Sequence, residues 1–453
     1  MPAFLPLHIN NTLKSLLVAL MLTGTAYAQN TVNFVSGQDI DKFICPAASP
    51  PPLKTVLKQS PPPVRSTRMP SDSELGLFRN TVIRSQPLID PRLIPGFAIH
   101  DADQSRRIAF WGDSHIAAGP FASTMMESLR ARGLTVGTRY LPPTMGRANT
   151  RLSALRGYCI GDSWSTQLSY TATAPLQTGP GLVDRIAEGG ADSYLWLDLR
   201  DVTLRPTIRQ LQIVYRAPSG GALDLSVNNG PKQKAILSAT TESQTLTISG
   251  DEPISTVRLR VAQGIFVLHG FILDYDEPPK VTFDVFGIPS STARGWSNLD
   301  SDYLAQALHG VNYDAVILEY GTNEGNAPGF DRNQYASGLK IALSNLRRVF
   351  PSASCVLVGP PDRGVLIRRN GTVPDLLLFS RIHQQIEEVQ QQVGRQFDCG
   401  AWNWQDLMGG PGGSYGWALA APSLMGTDLT HLSPEGYRKT GHALATSLGW
   451  EER

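Results

Sequence analysis

The chain has 453 residues, of which 41% are hydrophobic and 17% charged, an ordinary globular balance that excludes a disordered chain and a multi-span membrane protein. Its 40 Lys and Arg against 39 Asp and Glu give a formal net charge of +1. That leaves no field to draw in nucleic acid or an anionic membrane surface, and the length suits about two domains.

Lys14, the apolar run Leu16 to Leu22 and the small-residue site Ala26-Tyr27-Ala28 have the layout of a secretory signal peptide, residues 1–28, cut after Ala28. The run is shorter than the roughly 20 residues that span a bilayer, so no integral membrane segment is expected after processing. No cysteine sits directly after the cut, so no lipid anchor is expected. The four cysteines, Cys45, Cys159, Cys355 and Cys399, suit an oxidising compartment but are too few to build a scaffold. Of three possible pairings, Cys355 with Cys399 is favoured because each sits at the edge of a predicted strand, leaving Cys45 with Cys159. Their spacing resembles no zinc site, and no metal is expected.

Residues 29–104 read as an N-terminal extension whose proline-rich part, 47–63, disfavours helix and sheet. Residues 105–160 open with RIAFWGDSH, a short apolar strand ending in a tight turn, followed by a helix from Phe121 to Arg132 closed by Gly133. Across 161–279 the period changes to alternation, as in QLQIVYRA and TVRLRVA, with turn-formers between the runs, which predicts a β-sandwich. From 280 to 453 strand and helix alternate again. DAVILEY and SCVLVGPPD are apolar throughout, as buried parallel strands are. Gln334 to Phe350 and the Ile382, Ile386, Val389, Val393 series are amphipathic helices. Ser433-Pro434 caps a last helix towards Leu448. An α/β pattern that stops, yields to strands and resumes predicts a doubly wound parallel sheet with a β-sandwich inserted in one loop.

Ser114, in GDSH, follows a strand and precedes a helix, so its hydroxyl is expected at the carboxyl end of the sheet beside helix N-terminal amides. A serine hydroxyl needs a base to become a nucleophile. DLTH, before the last helix, offers His431 as that base, with Asp428 to orient and stabilise the imidazole. GTNE, after the strand LEY, places Asn323 where its amide can donate to an oxyanion. Each motif alone also reads as a capped turn. Together, in the chain order GDSH, GTNE, DLTH, they supply a triad and an oxyanion donor.

On these blocks the chain resembles the SGNH/GDSL hydrolase family. The resemblance implies a flavodoxin-like α/β fold, Ser114 as nucleophile, Asn323 in the oxyanion hole with the Ser114 amide, and Asp428 and His431 completing the triad. The family's second block supplies a glycine amide, and the matching stretch, FGIPSSTARGW, has Ser290 at that position, with Gly287 as the fallback. The signal peptide and the β-rich insertion make the chain similar more specifically to bacterial peptidoglycan O-acetylesterases, which carry a carbohydrate-binding-module-like sandwich. That similarity implies a periplasmic, cofactor-free serine esterase that removes the C6 O-acetyl of N-acetylmuramic acid from acetylated peptidoglycan. The same residues would serve an O-acetyltransferase, an esterase for another acetylated glycan, or, if idle, a wall-binding protein.

Several residues are assigned lesser roles. Asp113 is expected to tie the turn at Ser114, and Glu324 to be a solvated loop charge. Arg294 is a candidate for an acidic substrate group. His269, His309, His383 and His442 are read as surface or satisfied polar residues, and at least half of Trp164, Tyr194, Trp196 and Tyr215 as core.

Overall fold

Strands whose apolar residues run without interruption need cover on both faces, and RRIAFWG, VTFDVFG, AVILE and SCVLV find it in the middle of one sheet. The computed structural model describes residues 30–37, 43–46, 67–71, 73–74, 96–97, 99 and 105–451, apart from 327–328 and 369–370. The expected signal peptide and the proline-rich 47–63 lie outside the described residues. The sheet comprises β1 (Arg106–Gly112), β2 (Val136–Gly137), β3 (Val281–Gly287), β4 (Ala315–Glu319), β5 (Ser354–Val358) and β6 (Cys399–Trp402). Their order is β6-β5-β4-β1-β3-β2, and every neighbouring pair is parallel. Strand order therefore reverses around β1, the place where such sheets leave a crevice beyond their carboxyl ends.

Side chains alternate between two cores. Trp111, Phe286, Val316, Leu318 and Leu357 face one side, where α4 (Arg332–Val349) and α5 (Leu378–Gly394) pack with Tyr335, Leu339, Leu343, Ile386 and Val389. Phe110, Phe283, Ile317, Val356 and Val358 face the other. There α2 (Pro120–Ala131) and α6 (Pro434–Ser447) bring Phe121, Met125, Leu129, Tyr437 and Leu444. Each fully buried large apolar side chain stabilises by about 1.5–3 kcal/mol. The three helices given bounds, Phe121 to Arg132, Gln334 to Phe350 and Pro434 to Leu448, fall within two residues of them, and Ser433 Oγ accepts from Gly436 N at 3.1 Å as an N-cap.

Between β2 and β3 the chain forms two antiparallel sheets. One centres on Ile208–Ala217, flanked by Thr240–Ile254 and Ile265–Tyr275; the other runs Gln233–Leu237, Gly221–Val227, Thr256–Gln263, Tyr194–Asp198, Gly157–Ile160. Leu211, Ile213, Leu246 and Phe271 from the first meet Leu195, Leu197, Leu225 and Leu259 from the second in a common core. Tyr140–Leu141 and Gly157–Ile160, both ahead of residue 161, already pair into these sheets. Asn30–Asn33 adds a parallel edge strand against Leu246–Ser249. Trp164 and Tyr215 are buried, whereas Tyr194 and Trp196 are partly exposed.

Both expected disulfides form, Cys45–Cys159 and Cys355–Cys399, the second joining β5 to β6. His269 is fully buried and satisfied, its Nδ1 2.7 Å from Asp184 Oδ1 and its Nε2 2.7 Å from Tyr303 Oη. This chain of bonds ties the antiparallel region to the helix Ser301–Ala307. His309 bonds Ser243 and His442 bonds Glu451. Among the described residues no helix is long and apolar enough to cross a membrane.

Candidate active site

The turn after β1 is built to present one side chain. Asp113, fully buried, is the N-cap, and its Oδ1 accepts from His115 N at 2.9 Å. Ser114 opens the short helix α1 (Ser114–Ala117). Its amide is one of the first-turn donors that a helix leaves without an internal partner. Gly287, at the end of β3, lets this helix approach closely: a Cβ there would lie 2.3 Å from Ala117 N. That packing accounts for a glycine at position 287.

The DLTH loop brings the candidate base, His431, to Ser114. Gly426 N donates to His431 O at 2.7 Å, closing the loop on itself, and Leu429 adopts φ +55° with its side chain fully buried. His431 Nε2 lies 3.0 Å from Ser114 Oγ, and its Nδ1 lies 2.7 Å from Asp428 Oδ2. Asp428 Oδ1 accepts from the amides of Thr430 and His431 at 3.0 and 2.9 Å. Burial pushes the Asp428 carboxyl up, but the bonds from His431 and Thr430 outweigh it and hold the group well below the usual range. The hydrogen bond to Asp428 raises His431 above 6.5, against its partial desolvation. The side chains of His431 and Asp428 remain 44% and 51% exposed, so substrate can reach the imidazole.

Asn323 stands beside them, after Gly321, whose φ of +133° turns the chain at the end of β4. Its Nδ2 donates to Asp113 Oδ2 at 3.0 Å and to Ser291 O at 2.9 Å. The amide is thus aimed by two acceptors, one of them on the residue before Ser114, and it shares these hydrogens with any oxyanion it serves. Ser290 adopts φ +66° in the turn closed by Ser291 N to Ile288 O at 3.1 Å, the left-handed conformation in which glycine is usual. Ser291 Oγ donates to Gly112 O at 3.0 Å, fastening this turn to the end of β1. Among the described residues no backbone acceptor takes the N–H of Ser114 or of Ser290.

Beneath the site lie acids that sequence reasoning did not single out or misplaced. Glu319, fully buried at the end of β4, accepts from Asp113 N at 3.1 Å. Burial and the neighbouring Asp113 push it well above the carboxylate range, and burial also raises Asp113, to about 6. The two carboxyls therefore hold a proton that exposed acids would release. Glu324 is not a solvated charge: it is half-buried and accepts from Ala293 N at 2.8 Å and Gly321 N at 3.1 Å, and burial raises it to about 7. Backbone donors, invisible as a sequence pattern, draw it inward. His115 is buried with Nδ1 2.9 Å from Tyr437 Oη, and burial keeps it well below 6.5. His383 departs from the expected satisfied state, since Nδ1 reaches Pro361 O at 2.6 Å but its buried Nε2 has no partner among the described residues. Arg294 is exposed and donates to Ala172 O at 3.1 Å.

Serine, imidazole and carboxylate in line, at the carboxyl end of a parallel sheet and next to unoccupied amides, form an arrangement fitted for acyl transfer. No protein-family model and no curated protein matches the sequence. Among solved structures, the chain is similar to a peptidoglycan O-acetylesterase, with a TM-score of 0.57 and 21% identity over 79% of this chain and 94% of that one. The chain thus has the fold of that acetylesterase. Weaker likenesses reach a family two carbohydrate esterase from Clostridium thermocellum (TM-score 0.26, 11% identity, 65% of this chain and 99% of that one). Another reaches a family two carbohydrate esterase from Corynascus thermopiles (Myceliophthora fergusii) (TM-score 0.28, 12% identity, 63% and 98%).

Proposed function

We propose that the protein is an exported serine esterase of the SGNH type that removes O-acetyl groups from cell-wall polysaccharide, with the C6 O-acetyl of N-acetylmuramic acid in peptidoglycan as substrate. The observation that carries this reading is the continuous line from Ser114 Oγ to His431 Nε2, 3.0 Å, and from His431 Nδ1 to Asp428 Oδ2, 2.7 Å. The strand order and the two-sheet region between β2 and β3 support a doubly wound hydrolase domain carrying an inserted sandwich. Two disulfides support an oxidising compartment, here read as the periplasm.

In this mechanism Ser114 Oγ attacks the acetyl carbonyl carbon as its proton passes to His431 Nε2. The carbonyl oxygen becomes an oxyanion held by the amides of Ser114 and Ser290 and by Asn323 Nδ2. Asp428 stabilises the imidazolium. Collapse breaks the bond to the sugar oxygen, which leaves with the proton from His431, and acetyl stays on Ser114. A water molecule, deprotonated by His431, attacks this ester, and acetate leaves as Ser114 recovers its proton.

Acetate release from O-acetylated murein, compared with chemically de-acetylated murein, tests the substrate. Release from the first alone is expected; no release from either would overturn the reading. With a chitooligosaccharide added, acetylated oligosaccharide in place of free acetate would identify an acetyltransferase.

A further inference from the structure

The loop after β5, GPPDRG, carries an arginine that the mechanism above does not use. Arg363 is half-buried, and its guanidinium lies over the Phe379 ring, 4.0 Å from the centroid. Nη1 donates to Asn326 Oδ1 at 2.8 Å. Asn326 belongs to the turn that follows Asn323. The next residue, Gly364, donates its N–H to Leu429 O at 3.0 Å, inside the loop that carries Asp428 and His431. Arg363 and Gly364 together therefore join the loop that carries Asn323, through the guanidinium, to the loop that carries Asp428 and His431, through the backbone.

Its position is fixed from behind by Asp362, which is fully buried and accepts from Gln405 Nε2 at 2.8 Å and Ser414 N at 2.9 Å. The charge of Arg363 is close enough to act on His431, His115 and His383, and that of Asp428 acts on Arg363 in turn. Yet no carboxylate pairs with it among the described residues. Asp428 has one oxygen on His431 and the other on backbone amides. Of the five N–H donors of the guanidinium, among the described residues Nη1 makes one bond, to Asn326, and the buried Nε has no acceptor. A planar cation clamped on an aromatic ring, with donors in reserve beside the loops that carry Asn323 and His431, is suited to a carboxylate or another flat anion.

We propose that Arg363 is a specificity-determining residue that binds a carboxylate carried by the acetylated glycan, so that the enzyme selects anionic glycans over neutral ones. This rests on the esterase reading given above. On a muramic acid chain, the carboxylate has two sources: the lactyl group where no peptide is attached, and the peptide arm where one is.

Steady-state hydrolysis is measured on three acetylated muramoyl oligosaccharides: one with a free lactyl carboxylate, one with that group as a neutral methylamide, and one bearing a peptide arm with free carboxylates. The wild-type protein is expected to favour at least one anionic substrate over the methylamide by about tenfold or more in kcat/KM, chiefly through KM. Which anionic substrate is favoured identifies the source. In Arg363→Gln the preference collapses towards unity, and in Arg363→Lys part of it returns. Equal kcat/KM on all three substrates for the wild type, or an undiminished preference in Arg363→Gln, overturns the assignment. Acetate release from all three at equal rates would leave the esterase reading intact; release by Ser114→Ala at the wild-type rate would remove that reading instead.

Discussion

Asn323 Nδ2 donates to Asp113 Oδ2 at 3.0 Å, so the residue preceding Ser114 also aims the amide proposed for the oxyanion. Removing the amide in Asn323→Ala should lower kcat on a chromogenic acetate ester by about 10² to 10³. Asp113→Ala should lose about tenfold or more by releasing Asn323. If the two act as one unit, the double variant falls well short of the product of the single losses. Multiplicative losses would show that Asp113 acts independently.

The hydrogen bond to Asp428 raises His431 above 6.5, and general-base catalysis needs the neutral imidazole. Activity should therefore rise with pH through a midpoint above 6.5. Asp428→Asn removes the carboxylate, so its midpoint moves down, while the rate falls by on the order of 10³ or more as the imidazole loses its orientation. A pH profile of kcat/KM for both proteins measures this. A variant midpoint at or above that of the wild type would contradict it.

Ser290 and Gly287 can be separated by opposite substitutions. Ser290→Gly keeps the amide and relieves a left-handed serine, so activity should stay within a few-fold and stability should not fall. Gly287→Ala places a Cβ 2.3 Å from Ala117 N and must displace the helix that begins with Ser114. A drop in kcat of tenfold or more is expected from such a misplacement. Thermal melts and kcat values for both variants decide between them.

Glu319 titrates well above its ordinary 4.5 because of burial and the adjacent Asp113. The folded state keeps a proton that the unfolded chain gives up, so this contribution to stability is full below 4.5 and is lost as pH rises past it. Glu319→Gln keeps an acceptor for Asp113 N but cannot titrate. Its melting temperature should decline less steeply than that of the wild type between pH 5 and 8. Parallel slopes would place the proton elsewhere.

The chemistry that was legible in the sequence sat in short runs where a turn residue and a reactive group are neighbours. GDSH, GTNE and DLTH each put a candidate catalytic side chain beside the glycine, cap or strand end that positions it. Helix bounds followed from the spacing of apolar residues and from Ser433-Pro434. Glu319, Glu324 and Arg363 were not legible in the same way, because their partners are distant amides, rings and acids. A glutamate ending a buried strand or standing in a loop gives no local sign that backbone N–H groups will claim it. The edge strand at Asn30–Asn33 was missed for the same reason, since its partner, Leu246–Ser249, lies far along the chain.

The most direct measurement is the mass of the protein quenched in acid during turnover of an acetate ester, followed by peptide mapping. The wild type should carry one added acetyl group on the peptide containing Ser114, and Ser114→Ala should carry none and release no acetate. Acetate release by Ser114→Ala at the wild-type rate, or an acetyl group on any other residue, would contradict the account.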